Sequence, residues 1–76
     1  MNYVSREELI EFARKAFAKG LSATSMTTLE GMAVDYGNQQ NRLDDVRLWF
    51  RNLENNNFDG TRADTEWLDN WLSELP

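Results

Sequence analysis

The sequence predicts an all-α fold, a compact single-domain bundle of about four helices over approximately residues 6–19, 28–36, 39–54 and 62–75. Three observations carry this expectation. Apolar residues recur at three- and four-residue spacings within each segment, capping and stop residues punctuate the segments, and nothing alternates long enough to read as a strand.

The first helix opens on Ser5 and Glu8, an S-x-x-E capping box, and Gly20 supplies a left-handed residue to end it. Leu9, Ile10, Phe12, Ala13, Ala16 and Phe17 fall on one broad face, whereas Glu7, Glu11, Arg14, Lys15 and Lys19 fall elsewhere. A membrane-surface helix wants a strongly basic polar face, and this one mixes signs. LSATSM reads as a linker, and Thr27 with Glu30 offers a second capping box before a short helix. There Leu29, Met32, Ala33 and Tyr36 share a face, and Gly37 is expected to end the segment.

In the third helix Leu43, Val46, Trp49, Phe50 and Leu53 form the inward stripe, while Leu48 points out among Asp44, Arg47 and Arg51. Thr61 or Asp64 is expected to cap the fourth. Its apolar set, Trp67, Leu68, Trp71, Leu72 and Leu75, leaves Glu66, Asp69, Asn70, Ser73 and Glu74 facing solvent.

Composition narrows the chemistry. A chain of 76 residues buries only about 60% of the surface it exposes when unfolded, so the core must be small. The absence of Cys removes disulfides, thiolate metal sites and a thiol nucleophile, and the absence of His removes the commonest general base and zinc ligand. Carboxylates on solvated helix faces, with no glycine-rich phosphate loop beside them, make a poor catalytic set; a non-enzymatic protein without cofactors is expected. No apolar run approaches a membrane span and MNYVSREEL lacks the pattern of a leader, so no membrane partner and a cytoplasmic location are expected.

Charge is unevenly placed. Seven of the 8 basic residues and seven of the 13 acidic ones lie before residue 54 and cancel. The remaining acids, Glu54, Asp59, Asp64, Glu66, Asp69 and Glu74, face Arg62 alone, so the whole net charge of −5 lies in the final third. That end should repel phosphate backbones and attract basic partners.

Two stretches resemble known motifs. In TLEGMAVDYGNQQNRLDDV, Ala33, Gly37, Leu43 and Val46 occupy the small, turn and seating positions of a helix-turn-helix, which the stretch resembles. The resemblance implies that Gln39, Gln40, Asn41 and Arg42 open a recognition helix, with side chains suited to adenine and guanine edges. Against it, Asn38 replaces the apolar residue usual after the turn glycine, Asp44 and Asp45 follow one turn later, and no basic stripe supplies phosphate neutralisation.

The segment NNNFDGTRADTE, 55–66, places Asn55, Asn57, Asp59, Gly60 and Glu66 at positions that resemble an EF-hand calcium loop. Asn stands where the first Asp belongs, Arg62 occupies the eighth position and Ala63 offers no ligand at the ninth. The expectation is therefore a helix stop, a turn and a helix start, with no metal.

The acidic, tryptophan-bearing fourth helix carries the leading expectation, a protein-binding module that docks on a basic protein surface. Asp64, Glu66, Asp69 and Glu74 would steer association, and Trp67, Trp71 or Leu48 would anchor it. Carboxylates on a helix can stand in for phosphates, the behaviour expected of a small phage- or plasmid-type inhibitor of a nucleic-acid-handling protein. A helix-turn-helix DNA-binding regulator is the alternative.

Overall fold

The computed structural model describes residues 3–58 and 65–76, with backbone alone at positions 57 and 58. It is an all-α bundle: α1 (Arg6–Ala18), α2 (Ala23–Gln39), α3 (Leu43–Phe58) and α4 (Thr65–Ser73) follow in chain order, with no strand among the described residues.

The first helix begins where its capping box predicts. Ser5 adopts extended backbone and its hydroxyl accepts the Glu8 N–H at 3.0 Å, while Glu7 and Glu8 sit favourably in the first turn. A Schellman motif ends it: Gly20 takes φ 90°, the Leu21 N–H reaches the Ala16 carbonyl at 2.9 Å and the Gly20 N–H reaches Phe17 at 3.1 Å. The inward face is the predicted one, with Leu9, Ala13 and Ala16 buried and Ile10, Phe12 and Phe17 packed at its edge.

The second helix starts more than a turn before the expected position. Ser22, not Thr27, is its cap: the Ser22 hydroxyl accepts the Ser25 N–H at 3.1 Å, and Ala23 continues directly into helix. Thr27 lies inside the helix and donates its hydroxyl back to the Ala23 carbonyl at 3.0 Å. The helix also runs past Gly37, which is a packing residue and not a stop. A Cβ there would stand 3.0 Å from the Leu43 Cα and 3.1 Å from the Val46 Cβ, so the absent side chain is what lets α3 approach.

The turn comes at residues 40–42, with Asn41 left-handed at φ 57°. A second Schellman motif closes it, the Arg42 N–H bonding the Gly37 carbonyl at 2.9 Å and the Asn41 N–H bonding Asn38 at 3.2 Å. Accordingly α3 starts at Leu43 instead of residue 39, with Asp44 and Asp45 in its first turn, and it continues a full turn beyond residue 54 to Phe58.

Val4, Leu9, Leu29, Ala33, Tyr36, Val46, Phe50, Leu53, Leu68, Leu72 and Leu75 meet in one core together with Trp49 and Trp71, and no polar or charged residue is buried among the described ones. The tryptophans organise its α3–α4 side. Trp49 and Trp71 stack with centroids 3.9 Å apart, and each indole N–H donates to the other's main-chain carbonyl, at 2.6 Å from Trp49 and 2.8 Å from Trp71. Each ring thereby satisfies its polar atom without leaving the apolar interior. Trp67 extends the stack, 5.7 Å from Trp71, and Phe17 of α1 packs at 6.2 Å against both.

Polar ties join the ends of the chain to the bundle. The Gln39 carboxamide accepts the Val4 N–H at 2.6 Å and donates to the Val4 carbonyl at 2.8 Å. Arg6 donates to the Leu75 carbonyl at 2.9 Å, and the Tyr36 hydroxyl donates to the Pro76 carbonyl at 2.9 Å. Among the described residues no helix is long and apolar enough to cross a membrane.

Candidate functional site

The turn between α2 and α3 bears on the helix-turn-helix resemblance. Ala33 and Val46 pack in the core as the motif requires, but of the residues expected to open a recognition helix Gln39, Gln40 and Asn41 close the preceding one, and Arg42 alone stands at the start of α3, its carbonyl accepting the Val46 N–H at 3.1 Å. Gln39 is the last residue of α2 and its side chain is spent on Val4. Gln40 is the C-cap, Asn41 is the left-handed residue after it, and Arg42 is held to Asp45 by two bonds of 3.1 Å. The displacement has a simple cause: Gly37 is needed for helix contact, so the chain turns four residues later, at an Asn that tolerates positive φ.

The calcium-loop resemblance also meets a boundary. Asn55 and Asn57 lie within α3, so the backbone at the first positions of that window is helical. Asp59, Gly60, Thr61, Arg62, Ala63 and Asp64 lie outside the described residues, and with them both expected caps of α4. Glu66 stands exposed in the first turn of α4, where a carboxylate complements the helix dipole.

The residues expected to bind a partner differ in their settings. Trp71, only 2% exposed, belongs to the core, and its place in the stack removes it from the surface anchors. Asp69 is exposed but already engaged, 2.8 Å from Arg14 of α1. Glu66 and Glu74 are exposed and, among the described residues, make no ion pair.

Between the C-terminal half of α3 and α4 lies a groove of about 440 Å³, lined by Asn52, Asn55, Asn56, Trp67, Asn70, Trp71 and Glu74. The asparagines were not anticipated as a set. Asn52 and Asn55 share a face of α3 at i, i+3 spacing, and Asn70 and Glu74 share one of α4 at i, i+4 spacing, so the polar edges of two helices converge over the half-buried Trp67. The enclosed Asn56 Nδ2 has no hydrogen-bond partner among the described residues. Leu48, 59% exposed, lies one turn before Asn52 on the same face of α3, so an apolar contact adjoins the amide-lined groove.

The arrangement is chemically suited to recognition: neutral carboxamides offer both donors and acceptors beside an indole and the Glu74 carboxylate, with the exposed Leu48 adjoining. It belongs to an all-α bundle of four helices among the described residues. Comparison with known protein families, with curated proteins and with solved structures finds no match for the chain.

Proposed function

We propose that the protein acts without catalysis, by binding another protein through the exposed face of α4 and the amide-lined groove beside it. The observation that carries this reading is the setting, on α4 and beside its groove, of the exposed Glu66 and Glu74, which make no ion pair among the described residues, with the half-buried Trp67, while Leu48 stands exposed on α3 one turn before Asn52; α4 lies in the part of the chain where the negative charge is concentrated. A basic protein surface is the complementary partner, of the kind that nucleic-acid-handling proteins present, and occupying it would compete with nucleic acid. The acids set the rate of encounter, and the indole edge and Leu48 set how long the complex lasts.

Affinity capture from the native cell with wild-type protein and with the Glu66→Gln, Glu74→Gln double variant tests the reading. Both positions are exposed and unpaired within the described residues, so the variant should fold normally. Against the captured partner its association rate should fall by roughly tenfold at low salt and lose most of its ionic-strength dependence. Leu48→Ser should instead speed dissociation. An unchanged association rate in the double variant removes the acidic face as the docking surface. Sequence-selective retardation of duplex DNA, lost in Arg42→Ala, would favour the helix-turn-helix regulator.

A further inference from the structure

We propose that the groove between α2 and α3, away from the α4 face, is the interface of a symmetric dimer of this chain, with each copy's α2 lying over the other's α3. The groove encloses about 730 Å³ over a floor that includes Val34, Val46 and Phe50. On its α2 side stands Gly31, exposed, helical, and with nothing within 4 Å of where a Cβ would be. A glycine inside a helix weakens it relative to alanine and needs a reason. Gly37 has one, the close approach of Leu43 and Val46, but Gly31 has no such neighbour among the described residues. The gap admits the backbone or a large side chain of a second molecule.

Charge selects that second molecule and its orientation. The α2 rim of the groove carries Glu30 and Asp35, and the α3 rim carries Arg47 and Arg51, with Glu54 at the far end of the groove, where the α2 rim offers the uncharged Thr27. Gly37 is set against Leu43 and Val46, and residues 27–35 of α2 line the same groove as residues 46–54 of α3, so counting away from the turn along both helices brings Asp35 about level with Arg47 and Glu30 about level with Arg51. Yet none of the four is ion-paired to a described residue.

A twofold axis lying in the interface across the helices would set α2 on α2 and oppose like charges. An axis parallel to the helices sets α2 over α3 and opposes Glu30 with Arg51 and Asp35 with Arg47 of the other copy, each pair occurring twice. A foreign helix would have to reproduce this pattern, whereas a second copy carries it by construction. The patch is only a few helical turns long, so the dimer should be weak and concentration-dependent. The α4 face stays free, and the inference stands apart from the partner proposed for it.

Sedimentation equilibrium of the wild-type chain from about 5 μM to about 1 mM reads the association directly. The expected mass rises toward twice that of the monomer. Gly31→Leu, a good helix former entering open space, should keep or raise the melting temperature while remaining monomeric throughout. Arg47→Glu with Arg51→Glu should be monomeric alone, as should Glu30→Arg with Asp35→Arg, and an equimolar mixture of the two should recover a heterodimer. A wild-type chain that stays monomeric at the highest concentration overturns the proposal. So does a dimer that persists in Gly31→Leu or in the charge variants, because it must use another face.

Discussion

Gly31 and Gly37 occupy the same helix and share the same backbone conformation, yet the space beside them is opposite. At Gly37 the nearest atoms to an added Cβ are the Leu43 Cα at 3.0 Å and the Val46 Cβ at 3.1 Å, and a main-chain atom yields only by moving α3 as a whole. Gly37→Ala should therefore destabilise the fold by about 1–3 kcal/mol, the cost of overpacking outweighing the gain in helix propensity. Gly31→Ala meets nothing within 4 Å among the described residues and should stabilise it by about 0.5–1 kcal/mol. Urea unfolding of the two variants measures both; equal effects would mean that α3 does not press on Gly37. The same scale explains why Trp71 does not serve as a surface anchor: its apolar spacing fits a core position as well as an interface one, and only the reciprocal bond with Trp49 decides between them.

At the scale of the helices, the α2–α3 turn depends on Asn41 holding φ 57° so that the Arg42 N–H reaches the Gly37 carbonyl. Asn41→Gly, which adopts that conformation freely, should leave stability unchanged or raise it by up to about 1 kcal/mol, and Asn41→Val should lower it by about 1–2 kcal/mol. Thermal melts followed by circular dichroism distinguish these outcomes, and a tolerated Val would mean that the turn is not under positive-φ control. This turn also shows where the sequence was legible. The stripes of α1, α3 and α4, the Ser5 cap, the left-handed Gly20 and the outward Leu48 followed from periodicity and local chemistry. The ends of α2 did not, because Ser22 and Thr27 are both sound caps and because a glycine that permits helix contact looks locally like one that stops a helix. The amide-lined groove was hidden for a related reason: Asn52, Asn55 and Asn70 are unremarkable on their own helices, and only the packing of α4 against α3 brings them together.

Over the whole molecule, the ties that hold the bundle connect distant parts of the chain. Gln39 grips Val4, Arg6 bonds the Leu75 carbonyl, Tyr36 bonds the Pro76 carbonyl, and the Trp49–Trp71 pair locks α3 to α4. Phe17 links that aromatic stack to α1, so the apolar and polar connections close into one circuit with a Cα radius of gyration of 11.6 Å. A small chain connected in this way should unfold as a unit. All three tryptophans lie in the single stack, so their fluorescence reports the α3–α4 side, whereas far-ultraviolet circular dichroism reports every helix. The two signals should therefore give superimposable urea transitions. Tyr36→Phe combined with Arg6→Ala removes the bonds to residues 75 and 76 and should shift both curves together by about 1–3 kcal/mol, even though neither residue touches a tryptophan through a hydrogen bond. If fluorescence instead held its wild-type midpoint while the helical signal moved, α1 and α2 would be melting apart from the tryptophan stack. The ends of the chain would then be attached to the bundle without being part of its cooperative unit.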